Sequence, residues 1–213
     1  MDETLYDYLA GHFGQNEPIL LEEICREGRS ELDVRRDMKR LTDMGLVMQY
    51  DIGVYYLPSG GTHGSYLRPS RDAVIEKKFL QSDGLVCGYL TGHAFAARLG
   101  LAGGRVAPFY EIVTNKERKP YRQTAVGGFI VVLKRPRVLV NGANAKLLQF
   151  LDLIGGLENF AQPSEPDTRE RIVRYLRQEG ITFAELRPYL SYYPPVIFQN
   201  LYLCGLLVPE DEA

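Results

Sequence analysis

Arg35, Arg36, Lys39 and Arg40 crowd into the run VRRDMKRL, and groups of this kind suit one chemistry above others. Ammonium and guanidinium groups neutralise phosphates, and the guanidinium fork also matches the paired acceptors on a guanine edge. At about 100° per residue, Val34, Met38 and Leu41 fall on one side of a helix and the four basic residues on the other. The pattern predicts a helix face offered to double-stranded DNA, with Arg29 just ahead of it and Gln49 and Tyr55 on the segment that follows. The plainer expectation is that these residues form only a solvated face.

A second basic set comprises Lys116, Arg118, Lys119 and Arg122 in the polar stretch TNKERKPYRQT, and Arg135 and Arg137 on either side of Pro136 at a strand end. This surface touches nucleic acid, faces an acidic partner, or docks on acidic segments of its own chain. Aromatic residues interleave with it only at Tyr110 and Tyr121, which favours a partner or intramolecular role over a single-strand platform.

Signals for catalysis are sparse. His12, His63 and His93 each stand alone, with no second ligand at metal-binding spacing, and no phosphate loop, dinucleotide fingerprint or nucleophile elbow occurs. Glu117-Arg118-Lys119 has the carboxylate-x-lysine spacing of metal-dependent nucleases, but it falls in a polar loop without an upstream acidic ligand. Cys25, Cys87 and Cys204 are too far apart for a CxxC motif and read as buried small hydrophobes. No catalytic residue, metal or cofactor is expected.

The elements that must position these groups follow from composition and punctuation. With 213 residues, 45% hydrophobic and 24% charged, the chain has the make-up of a globular protein. No apolar run suits a membrane span and the N-terminus is acidic, so a cytoplasmic protein is expected. The net charge of −2 conceals a partition of −6 over residues 1–65, +8 over 66–137 and −4 over 138–213.

The expected fold class is α+β: an N-terminal winged helix-turn-helix, then a mixed α+β domain with a C-terminal helical segment. Helices are predicted near Leu5–Leu9, over Ile19–Arg26, and after Ser30, where Ser30-Glu31-Leu32-Asp33 resembles a capping box. A hairpin follows around Asp51-Ile52-Gly53. This order over residues 1–58 is that of a winged helix, with the third helix in the recognition position. Residues 59–70 read as a linker, 71–160 as the α+β domain and 161–213 as the helical segment. Within 71–160, helices are predicted at Arg71–Leu80, Gly92–Leu99 and Ala143–Ile154, and strands at Phe109–Val113, Phe129–Lys134 and Val138–Val140. Thr182-Phe183-Ala184-Glu185 is a second capping box.

Several stretches together resemble the compact branch of the AbiEi-type antitoxins of abortive-infection toxin–antitoxin systems. They are DVRRDMKRL, GLVMQYDIGVYYLP, Pro69-Ser70, Thr91-Gly92, Leu99-Gly100-Leu101, Ile112-Val113-Thr114-Asn115, LLQFLDLIGGLEN and Tyr193-Pro194-Pro195. The pattern departs after Leu101, where Ala102–Pro108 replaces an expected Gln-Val-Pro. The resemblance implies a winged helix that represses its own promoter. It also implies neutralisation of a cognate nucleotidyltransferase-like toxin without a stable complex. A homodimer on DNA fits such a module. Two other functions compete: a stand-alone winged-helix regulator whose middle domain binds a small ligand, and a metal-dependent nuclease acting through Glu117 and Lys119.

Overall fold

A computed structural model describes residues 4–25, 30–60, 66–101 and 109–207. The protein is mixed α+β and divides into two compact units. One comprises residues 1–78 with 126–128, the other 79–125 with 129–213. Arg29 and His63 lie outside the described residues.

The first unit runs α1 (Leu5–His12), β1 (Ile19–Leu20), α2 (Leu21–Cys25), α3 (Glu31–Asp43), β2 (Met48–Asp51) and β3 (Val54–Tyr56). The three strands form one antiparallel sheet in the order β1-β3-β2, with Ile19 opposite Tyr55 and Met48 opposite Tyr56. Ile19 and Leu20 were expected to open a helix. Both are buried and pair with β3 instead, and the helix begins only at Leu21. A short apolar run cannot distinguish these outcomes by periodicity. The Glu23 carboxylate accepts from the Leu20 amide at 3.0 Å, marking the changeover.

Ser30 precedes α3 in extended conformation, yet its side chain makes no capping hydrogen bond. The capping box expected there is not formed, and the Asp33 carboxylate instead pairs with Arg36 at 2.8 Å. Val34 and Met38, one turn apart, are buried among Leu5, Leu9, Ile19, Ile24, Val47 and Leu57, which fixes the face that α3 turns inward. The hairpin expected at Gly53 is present, with Gly53 at φ +71°.

Residues 59–70, read as a linker, contain a small hairpin of β4 (Ser59–Gly60) and β5 (Tyr66–Leu67). Ser70 then caps α4 (Arg71–Ile75), accepting from the Ala73 amide at 3.1 Å. One π-helical turn, Glu76–Leu80, completes the predicted Arg71–Leu80 helix.

The second unit begins with the short hairpin β6 (Gln81–Ser82) and β7 (Leu85–Val86). It continues through β8 (Gly88–Thr91), α5 (Gly92–Arg98), β9 (Tyr110–Thr114), β10 (Tyr121–Val126) and β11 (Phe129–Lys134). Strand order in the larger sheet is β10-β11-β9-β8, with β9 parallel to β11 and antiparallel to β8. β10 takes up Tyr121–Thr124, the end of what was expected to be a loop, and runs on to Val126. As an edge strand it exposes four of its six residues, Tyr121, Arg122, Gln123 and Ala125, so its sequence carries no apolar alternation. Val138–Val140, expected as a strand, is not one. The Asn115 amide satisfies both backbone groups of Val140, at 2.8 and 2.9 Å, in place of a neighbouring strand.

After the sheet come α6 (Ala145–Gly155), α7 (Pro166–Glu179), α8 (Phe183–Leu186) and α9 (Val196–Leu203). α6 is buried nearly all round, with Leu147, Leu148, Phe150, Leu151, Leu153 and Ile154 all in the core. The helices from residue 161 onward share this compact unit with the sheet instead of forming a separate segment. The Thr182–Glu185 capping box is present, with both hydrogen bonds made. No helix among the described residues is long and apolar enough to cross a membrane.

Candidate functional site

Two surfaces compete for the role of functional site, one in each unit. The first is the outward face of α3. Arg35, Arg36, Lys39 and Arg40 are all exposed there, opposite buried Val34 and Met38. Arg35 pairs with Glu31 at 2.6 Å, and Arg36 with Asp33 and, at 3.8 Å, with Asp37. Such exposed pairs contribute only about 0–1 kcal/mol each, so a phosphate could displace them at small cost. Leu32 and Ile52 are strongly exposed, the first at the start of α3 and the second at the tip of the β2–β3 hairpin. Gln49 is exposed on β2 and bonds the Asp51 carbonyl. Tyr55 is half-buried and packs against the core, so less of it is open to a ligand than of Gln49.

The second unit disperses the other basic residues. Lys116, Arg118, Lys119 and Arg122 lie around the β9–β10 connection, and the last of them pairs with the turn itself. Glu117, in contrast, is 6% exposed. Its carboxylate accepts from the amides of Arg118 and Lys119, at 2.9 and 3.0 Å, and from Arg122 Nε at 2.6 Å. The Lys119 amide above all, with the Arg122 guanidinium, holds this carboxyl below the usual glutamate range despite its burial. Glu117 therefore organises the turn, and the Glu117–Lys119 spacing is accounted for by that role. Among the described residues, no group of three or more His, Cys, Asp or Glu could hold a metal.

Arg135 and Arg137 belong elsewhere, on the lip of a cleft of about 670 Å³ within the second unit. Its sheet wall follows from register. Thr91 is opposite Glu111, Tyr89 opposite Val113, and Val113 opposite Lys134, so these five side chains share one face. Leu90, Ile112, Val131 and Leu133 alternate with them and are buried on the other face. Lys134 Nζ bonds Glu111 Oε1 at 2.5 Å, and the His93 amide donates to Glu111 Oε2 at 3.4 Å. Gly92, at φ +63°, makes room for that carboxylate, since a Cβ there would sit 1.7 Å from Oε2.

Tyr89 donates its hydroxyl to Asp152 of α6 at 2.8 Å, and the buried Tyr193 hydroxyl bonds the Leu148 carbonyl at 3.2 Å. Burial raises the Asp152 carboxyl above its ordinary range, against the Tyr89 hydrogen bond and the charges of Arg137 and Lys134. Burial likewise pushes both tyrosine hydroxyls far up, with the Asp152 charge adding to the shift. Arg137 lies over the Tyr193 ring at 5.1 Å. Arg135 is exposed and has no ionic or hydrogen-bonding partner among the described residues.

Tyr89, Glu111, Lys134, Asp152 and Tyr193 were not singled out as site residues in the sequence. The alternation in Tyr110–Thr114 marks one strand face, but strand register and the α6 packing are needed to converge the rest. Thr91-Gly92, Asp152 and Tyr193-Pro194, far apart in the chain, meet at this cleft.

No protein-family model matches the chain, no curated protein matches its sequence, and no solved structure matches its fold.

Proposed function

We propose that the first unit is a winged helix-turn-helix and that the protein is a DNA-binding repressor of its own promoter, with α3 as recognition helix and the β2–β3 hairpin as wing. The observation that carries this reading is the order α1-β1-α2-α3-β2-β3, closed by the β1-β3-β2 sheet, with the basic face of α3 left in solvent. Arg36 and Lys39 take phosphates, and Arg35 and Arg40 are available to base edges. Gln49 adds a backbone contact from the wing, and two copies bind paired half-sites.

The test is fluorescence anisotropy on the DNA upstream of the gene. Arg36→Ala with Lys39→Ala is expected to weaken binding by roughly tenfold or more and to reduce the salt-dependence slope by about two, one for each phosphate no longer neutralised. Binding equal to wild type would remove α3 from the interface.

The further role, as antitoxin against a nucleotidyltransferase-like toxin without a stable complex, rests on the sequence resemblance. Co-expression with a neighbouring gene of that class checks it, and restored growth without co-purification is the expected outcome.

A further inference from the structure

We propose that the cleft in the second unit binds a nucleotide-sized organic anion, with its phosphate at Arg135 and Arg137 and a flat ring against Phe109 and Phe160. The cleft's volume of about 670 Å³ is far more than an inorganic anion fills, and it falls within the roughly 300–1,000 Å³ of small-molecule sites. Its lip is cationic. Arg135 has no partner of its own among the described residues, and Arg137 lies over the Tyr193 ring, reaches the Tyr192 carbonyl at 3.5 Å and meets the Asp152 carboxyl through its charge without an ion pair at contact distance. Two guanidiniums two positions apart in the chain suit the several oxygens of a phosphate, which each can grip with two parallel donors.

The interior asks for a different chemistry. Glu111 and Asp152, when ionised, can only accept hydrogen bonds. Glu111 is already met by Lys134, and Asp152 by Tyr89, so a ligand reaching them must bring donors of its own, as sugar hydroxyls or a base amino group do. A bare polyanion would meet two carboxylates with nothing to donate. Phe109 and Phe160 are half-buried, and Phe160 stands edge-on to His93 at 4.9 Å, leaving aromatic surface for a ring to pack against. Phosphate, hydroxyls and a flat ring together describe a nucleoside monophosphate. This inference is independent of DNA binding by the first unit.

The experiment is calorimetric titration of the full chain with AMP, GMP, CMP and UMP, alongside inorganic phosphate and adenosine. At least one monophosphate is expected to saturate a single site with Kd below about 1 mM, with phosphate and adenosine each roughly tenfold weaker or worse. Arg135→Ala should weaken that binding by about tenfold. Gly155→Leu should do at least as much, because Gly155 lines the cleft and a Cβ there would meet no protein atom within 4 Å. Should Gly155→Leu lose its circular dichroism signature, Phe160→Ala takes its place.

No saturable binding of any monophosphate overturns the proposal, as does binding that survives both substitutions or phosphate binding as tightly as the nucleotides. Arg135-dependent binding of a single-stranded oligonucleotide without any monophosphate also overturns it, because the lip would then belong to a nucleic-acid surface.

Discussion

The two units use charge in opposite ways. On α3, ion pairs join residues no more than four apart, lie in solvent, and rest on a core of Val34 and Met38 that does not depend on them. In the second unit, polar side chains reach across the chain. Lys134 meets Glu111, Tyr89 meets Asp152, and Gln149 spans from the Leu90 carbonyl to the Tyr175 hydroxyl. A surface of the first kind can exchange its partners for a ligand while the fold stays unchanged. In the second kind, the groups that shape the cleft also hold the fold together, so binding and stability are coupled.

The sharpest way to break that contrast is at Gln149. Its amide donates to the Leu90 carbonyl at 2.7 Å and accepts from Tyr175 at 3.1 Å, all within the core. Gln149→Ala leaves both partners unsatisfied and a cavity besides, for an expected destabilisation of about 2–4 kcal/mol. The thermal midpoint should fall by roughly 5–10 °C. Gln149→Leu, which restores volume but not hydrogen bonds, should recover less than half of that stability. A change of only a few tenths of a kcal/mol, checked by urea denaturation, would show that polar links in the second unit are as dispensable as those on α3.

The same contrast explains which parts of the molecule could be read in advance. α3 was legible because burial at Val34 and Met38, the basic face and the stop at Gly45 are all local, written within one helix and its end. α6 was legible for the same reason, its apolar residues being dense enough to demand burial. β10 was not, because an exposed edge strand needs no hydrophobic alternation. The cleft was invisible except for Arg135 and Arg137. Its other charged groups, Glu111, Lys134 and Asp152, come from three elements whose meeting depends on strand register and on α6. Glu117 was legible only as a spacing, discounted because it fell in a polar loop; that its carboxylate accepts from the Arg118 and Lys119 amides depends on the turn, which the spacing does not specify.

Glu117 also gives a pH test of intermediate size. Its folded carboxyl is held below the ordinary range by the Lys119 amide and the Arg122 guanidinium. Its contribution is therefore fully present above the unfolded glutamate value near ~4.3 and is lost as pH falls through the folded value. Glu117→Gln should cost about 1–2 kcal/mol at neutral pH. It should also flatten the decline in stability between about pH 5 and the acid limit. Melting curves across that range check both parts, and a variant that declines as steeply as wild type assigns the acid sensitivity to other groups.

The smallest stability effect belongs to α3, and it decides whether the contrast is real. Arg35→Ala removes the pair with Glu31, and both side chains of that pair are more than half exposed, at 61% and 63%. Alanine has the better helix propensity, which offsets part of the missing ion pair, so stability should change by less than ~0.5 kcal/mol. Affinity for promoter DNA should nevertheless fall by several-fold if Arg35 reads a base edge, because a good bidentate contact is worth about 1–3 kcal/mol of discrimination. Denaturation and anisotropy on the same variant separate the two quantities. A destabilisation comparable to that from Gln149→Ala would mean that this face helps to hold its unit together, and the division between a surface free to exchange partners and a structural network would fail.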